Sequence, residues 1–185
     1  VVADAMTRQA RALYLFPTKA LAQDQVAELL ELNRAGKLGV KAFTFDGDTP
    51  GDARQAVRLH GEIVVSNPDM LHQAILPHHT KWAQFFENLK YVVIDEVHTY
   101  RGVFGSHVAN VLRRLERVCA FYGVKPQYIL CSATIGNPKA HAEALLGREP
   151  EQLGGKLDVG RVGHRLGTES QALPASRRKP LQCLP

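Results

Sequence analysis

The stretch YVVIDEVHTYRG, Tyr91–Gly102, decides how the rest of the chain is read. An apolar run suited to a buried strand passes directly into two carboxylates, Asp95 and Glu96, with His98 just beyond them. Burying an unpaired carboxylate is costly, and adjacent carboxylates repel each other. The pair therefore calls for a compensating cation, unless it simply opens a solvated turn.

Working outward, the same grammar repeats on both sides. ALYLF (Ala12–Phe16), VKAFTF (Val40–Phe45), EIVVS (Glu62–Ser66), KYVVID (Lys90–Asp95) and QYILCSA (Gln127–Ala133) read as strands. Between them lie helical patterns. TKALAQDQVAELLELNRAG has Leu21, Val26, Leu29 and Leu30 near helical spacing, with Thr18 to cap the start and Gly36 to stop it. A helix is predicted from near Asp52, and another from DMLHQAIL. GSHVANVLRRLERVCAFYG carries the stripe Val108, Val111, Leu112, Leu115 and Val118, and NPKAHAEALLG forms a last short helix. Strands alternating with helices predict an α/β fold, a mostly parallel sheet flanked by helices. In such sheets functional residues gather beyond the carboxyl ends of the strands. PTKAL, DGDTP, SNPDM, DEVH and SAT should then share one rim.

Composition sets the outer bounds. The chain has 185 residues, 45% hydrophobic and 22% charged, which suits one soluble globular domain. No apolar run approaches the roughly 20 residues needed to cross a bilayer, so no membrane partner is expected. The N-terminal segment lacks the pattern of a signal peptide. Cys119, Cys131 and Cys183 form no disulfide framework, and Cys119 and Cys131 read as small core residues. The chain reads as cytoplasmic. Its net charge of +5 permits a nucleic-acid partner without requiring one. From about Glu149 the sequence loses apolar periodicity and becomes rich in Gly, Arg and Pro, so it is expected to be disordered. It reads either as a linker or as residues not native to the domain, as after a shifted reading frame.

The rim residues suggest specific chemistry, each with an ordinary structural alternative. Asp95 at a strand end can hold Mg²⁺, and Glu96 can orient or deprotonate a water. His98, with Ser132 and Thr134 of SAT, can form a hydrogen-bonded link across the rim; SAT can equally be a simple turn or cap. Thr18 and Lys19 at one helix start, and Ser66 and Asn67 at another, suit backbone phosphates or plain capping. Gly47 suits a tight turn. Arg101 is read either as a partner for carboxylate or phosphate, or as a surface arginine. Trp82, Phe85 and Phe86 are expected to pack a helix rather than stack on bases. A hydrolytic metal centre adding His72, His78 or His79 to Asp95, Glu96 and His98 matches no familiar zinc spacing.

In order and spacing, PTKALAQDQ … GDTP … SNPDMLH … DEVH … SAT resembles the first motor domain of superfamily 2 helicases, over roughly Arg11–Gly147. It is similar to the DEAD/DEAH-box branch, and within it to bacterial DExH DNA helicases with a C-terminal cysteine-rich region. The resemblance implies a RecA-like domain that hydrolyses Mg²⁺-ATP to drive movement along single-stranded or duplex DNA, with RNA also compatible. Asp95 would bind Mg²⁺, Glu96 would activate water, and His98 with Ser132, Ala133 and Thr134 would couple hydrolysis to strand movement. Pro17, Thr18, Lys19, Gly47, Ser66, Asn67 and Pro68 would line the nucleic-acid path.

The sequence also departs from that pattern. No G-x-x-x-x-G-K-[ST] loop precedes PTKAL. AGKLG (Ala35–Gly39) and GGKLD (Gly154–Asp158) imitate part of it, but a leucine follows each lysine. The expectation is a partial first motor domain over residues 1–148, without the phosphate-loop strand, followed by the tail at 149–185. It would need a second motor domain and would have little ATPase activity alone. The alternative is a non-catalytic single-strand-binding module or an inactive truncated product.

Overall fold

The computed structural model describes residues 10–133, 137–147 and 182–184. Five parallel strands form its centre: β1 (Arg11–Leu15), β2 (Ala42–Thr44), β3 (Ile63–Ser66), β4 (Leu89–Ile94) and β5 (Gln127–Ser132). A short β6 (Gln182–Leu184) pairs antiparallel with the outer edge of β5, giving the order β2-β3-β1-β4-β5-β6. The expected α/β fold is present: a mostly parallel sheet flanked by helices. The sequence reading placed no strand in the tail, because a three-residue segment carries too little periodicity to register.

Alternation along each strand explains why the strands are apolar almost throughout. Leu13 and Leu15 of β1 join Val64, Val92, Ile94 and Leu130 in a core on one face. Ala12 and Phe16 join Ile63 and Val65 in a second core on the other. A strand buried on both faces has no polar positions to spare. Each such Leu, Ile or Val contributes roughly 1.5–3 kcal/mol by leaving water.

The first core is closed by α2 (Gly51–His60), by the helical turns at 68–87, by α5 (Gly102–Phe121) and by α6 (Pro138–Leu146). The buried stripe of α5 is Val108, Val111, Leu112 and Leu115, as the spacing predicted, with Cys119 completing it and Val118 only partly buried. The second core packs against α1 (Lys19–Gly36). Thr18 caps α1 as expected, accepting from Leu21 N at 3.4 Å. The buried positions of α1 are Ala22 and Val26, whereas Leu21 is exposed.

Two elements differ from their sequence reading. Gly36 does not terminate α1 through a left-handed conformation; Lys37 does, with φ 50°. A Cβ at Gly36 would stand 2.9 Å from the Leu38 side chain, which would have to shift to admit it. The helix expected from DMLHQAIL is broken into α3 (Pro68–Met70), a wide π-type turn (Leu71–Ile75), a tight 3₁₀ stretch (Leu76–Trp82) and α4 (Ala83–Glu87). Pro77 lies inside this run. It can donate no N–H, and its ring clashes with the carbonyl four residues back, so the regular helix cannot continue through it. Trp82, Phe85 and Phe86 are buried here, with Trp82 edge-on to Phe45 at 4.9 Å.

The register positions the functional end. Leu15 pairs with Ser66 on one side and with Ile94 on the other, and Ile94 pairs with Leu130. The ends of β1, β3, β4 and β5 are therefore aligned. The segments that follow them emerge side by side on one rim.

Candidate nucleotide and nucleic-acid rim

Asp95 leaves β4 still tied to the sheet, its N–H donating to Leu15 O at 3.0 Å. Its Oδ1 accepts from Glu96 N at 2.8 Å. The carboxyl is partly buried, and burial pushes its pKa above the ordinary value, helped by the Glu96 charge. The Glu96 N–H and His98 act in the opposite direction. No lysine or arginine among the described residues pairs with it.

Glu96 has φ 51° and ψ 40°, a left-handed conformation that is uncommon outside glycine. Such backbone persists only where its surroundings hold it. Here Glu96 O accepts from both Thr99 N at 2.8 Å and Thr99 Oγ1 at 2.7 Å, closing a turn over Val97–Thr99. The turn folds the chain back so that His98 Nδ1 lies 3.1 Å from Glu96 Oε2.

The same nitrogen faces the end of β5. Ala133 N is 3.4 Å away and Ser132 Oγ 3.5 Å away. One ring nitrogen carries at most one proton, so these contacts are alternatives. With a proton on Nδ1, His98 donates to Glu96. Without it, Nδ1 accepts from Ala133 N–H or Ser132 Oγ–H. Ser132 is buried and its hydroxyl also reaches Ala133 O at 2.8 Å. Thr134, the remaining member of SAT, lies outside the described residues.

On the other half of the rim, Lys19 Nζ and Asp48 Oδ2 form an exposed 2.9 Å ion pair. This brings α1 against the GDTP turn, where a Cβ on Gly47 would stand 3.5 Å from Lys19 Nζ. Pro17 is half-buried beside exposed Thr18. Asn67 is half-buried and caps α3, its Oδ1 accepting from Met70 N at 2.8 Å. Two expected contact residues do not reach the surface. Ser66 is 1% exposed and donates its hydroxyl to Phe45 O at 2.7 Å. Pro68 is buried at the first position of α3. Their side chains set the loop's shape, which leaves Pro17, Thr18, Lys19, Gly47 and Asn67 as the accessible set.

Several residues that shape this rim escaped sequence reasoning. Arg54 donates Nε to Thr49 O at 2.8 Å and Nη2 to Gly47 O at 3.2 Å, stiffening the GDTP turn. Buried Asp46 accepts from Asp48 N at 2.9 Å. His141 of α6 donates Nε2–H to Val97 O at 2.8 Å, anchoring the acidic turn from outside. Tyr100 is buried and its hydroxyl has no partner among the described residues; burial, then the Asp95 and Glu96 charges, push its pKa up. None of these carries a spacing signal; each depends on contacts between distant segments.

The donor set fits Mg²⁺. A hard carboxylate, partly desolvated and with no lysine or arginine among the described residues paired to it, suits an ion held by one or two carboxylates plus phosphate oxygens. The hydrolytic-metal alternative finds no support. The described residues hold no cluster of three or more histidine, cysteine or acidic groups suited to a metal. His79 sits instead against Tyr122, and His72 against His107. The AGKLG segment is the end of α1 and its turn, the opposite of a loop leading into a helix start. GGKLD lies outside the described residues. No helix among the described residues is long and apolar enough to cross a membrane.

Comparison with known proteins agrees with this geometry. Residues 2–141 match the DEAD/DEAH box helicase family. The chain is 66% identical over 138 residues to an ATP-dependent helicase of Bacillus subtilis, YprA, covering 75% of this chain and 18% of that protein. It is 45% identical over 142 residues to the ATP-dependent helicase hrq1 of Schizosaccharomyces pombe, covering 75% of this chain and 13% of hrq1. The crystal structure of DUF1998 helicase MrfA bound to DNA and AMPPNP superposes with a TM-score of 0.76 and 62% identity, over 80% of this chain and 21% of MrfA. The chain thus spans about a fifth or less of these relatives' length. By its matched span and its rim, the chain belongs to the DEAD/DEAH box helicase family.

Proposed function

We propose that this domain is the nucleotide-hydrolysing, strand-tracking part of an ATP-dependent DNA helicase. The observation that carries the reading is His98 Nδ1 standing between Glu96 and the end of β5. Asp95 would hold Mg²⁺, which when bound neutralises nucleotide phosphates. Glu96, fixed by its left-handed backbone, orients the attacking water and takes its proton. His98 then exchanges partners. While it donates to Glu96 it holds the carboxylate. Once its Nδ1 is bare it accepts from Ala133 or Ser132, and β5 feels the change. Thr18, Lys19, Gly47 and Asn67 contact the backbone of a single strand, a mode with strong salt dependence and little sequence preference. The DNA assignment is supported by the DNA-bound MrfA relative. A second motor domain would complete the nucleotide cleft.

The 185-residue sequence contains no G-x-x-x-x-G-K-[ST] segment, and we expect the chain alone to hydrolyse little or no ATP. That same feature favours a second reading, a binding module without catalysis. An ATPase assay combined with anisotropy titration of a labelled dT15 oligonucleotide at two salt concentrations separates the two. Turnover by the chain alone would overturn its expected inactivity. Binding without turnover in a longer polypeptide, carrying a phosphate loop and a second motor domain, would favour the binding module.

A further inference from the structure

β6 runs antiparallel along the outer edge of β5, with Leu184 opposite Leu130, Cys183 opposite Cys131 and Gln182 opposite Ser132. Two cysteines that are distant in the chain are therefore cross-strand partners. Directly opposed residues of antiparallel strands belong to one face of the sheet, with Cα atoms about 4.5 or 5.5 Å apart according to the pair type. Both separations fall inside the roughly 4.4–6.8 Å that a disulfide spans. The backbone register thus meets the main geometric demand of a bridge, whichever pair type this is. Sequence spacing carries no trace of it, because the pairing joins distant segments.

The fold also makes this pairing selective. Leu130 belongs to the first core, and strand alternation turns Cys131 to the other face, where it is half-buried and within reach of a small reagent. Cys119 is different. It is buried in the stripe of α5, and burial, with the Glu116 charge, pushes its thiol up to about 12. The thiolate is the form that attacks a disulfide, so Cys119 is held inert in the folded chain. Cys131 and Cys183 are left as the pair.

We propose that Cys131 and Cys183 are a redox-sensitive pair that closes to a cross-strand disulfide and fastens β6 to β5. The oxidant is a small-molecule disulfide such as oxidised glutathione. One cysteine thiolate attacks a glutathione sulfur, the glutathione S–S bond breaks, and one glutathione leaves as its thiol. The second cysteine thiolate attacks the protein sulfur of that mixed disulfide and releases the other glutathione. Two protein thiols become one disulfide, and their two electrons and two protons end on two glutathione thiols. The bridge lies directly before Ser132, whose hydroxyl is 3.5 Å from His98 Nδ1. It therefore holds still the end of β5 that the proposed coupling moves. That consequence rests on the proposed function; the bridge itself does not.

The test is disulfide mapping of the 185-residue chain after incubation with oxidised glutathione, once in buffer and once in concentrated urea, followed by alkylation and non-reducing peptide mass spectrometry. In buffer, the peptides holding Cys131 and Cys183 are expected as one cross-linked species within a single chain, with Cys119 alkylated. In urea the register is lost and the shorter Cys119–Cys131 loop closes more readily. The share of the Cys131–Cys183 link should then be at least about threefold higher in buffer than in urea. Oxidation should raise the melting temperature of the wild type by at least about 3 °C, reversibly with a thiol reductant, and leave Cys183→Ser unmoved. Glutathione adducts without a cross-link, a link between two chains, or a Cys131–Cys183 share no greater in buffer than in urea would each overturn the pair. None of these results touches the proposed function, which ATP turnover and dT15 binding test separately.

Discussion

His98 Nδ1 lies 3.1 Å from Glu96 Oε2 and within 3.5 Å of both Ser132 Oγ and Ala133 N. A single nitrogen thus links the carboxylate that would handle water to the strand end that would move. His98→Ala should spare Asp95 and Glu96 but cut the link. In a helicase polypeptide carrying this domain, DNA stimulation of ATP hydrolysis should fall roughly five- to tenfold, more than the unstimulated rate, the size of a modest coupling energy. Steady-state rates with and without DNA check this; equal losses in both would count against the link.

Asp95 stores instability when no cation is present. Folding raises its pKa through burial, so the folded chain keeps this proton at a pH where the unfolded chain has lost it. The stabilising contribution is complete below the ordinary carboxylate range and is lost as pH rises through the folded value. Asp95→Asn, which can still accept from Glu96 N, should therefore raise the melting temperature at pH 7 by about 1–3 °C. The gain should shrink in acid. Melting curves across pH test this, and a drop on substitution at pH 7 would contradict it.

Lys19 is engaged by Asp48 in an ion pair exposed enough to exchange readily. Asp48→Asn should release Lys19 and remove a negative charge from the strand path. Affinity for dT15 at low salt should rise about two- to fivefold, and the difference should fade as salt increases. Weaker binding would mean that Asp48 positions Lys19 rather than competing for it.

Gly105 leaves no room for a side chain where α5 passes Tyr100. A Cβ there would meet Tyr100 O at 2.4 Å, a backbone atom with no freedom to move aside. Gly105→Ala should cost about 1–3 kcal/mol, the range for forced overpacking. Denaturant unfolding measures it, and an unchanged midpoint would show that the turn relaxes.

Much of this was legible in the sequence because it rests on local signals. Apolar runs marked all five parallel strands, and their order with the intervening helical periods gave the sheet class. The stripe from Val108 to Leu115 marked the inward face of α5, and Thr18 marked the start of α1. Asp95, Glu96 and His98 stood out because charge at a strand end requires compensation. What was not legible depends on contacts between segments far apart. Ser66 looked like a rim hydroxyl, yet it donates a hydrogen bond to Phe45 O inside the fold. Nothing in the sequence predicts that Glu96 turns left-handed, or that Arg54 braces the GDTP turn. Pro77 could have warned that DMLHQAIL would not continue as one helix.

The central claim is that Glu96 performs the water chemistry for this rim. The most direct measurement is single-turnover ATP hydrolysis, with Mg²⁺ and dT15, by a helicase polypeptide that joins this domain to a phosphate-binding loop and a second motor domain. Glu96→Gln should slow the chemical step by about 10²–10⁴-fold while ATP and dT15 binding stay within about twofold of wild type. A Glu96→Gln protein that turns over at the wild-type rate would contradict the account.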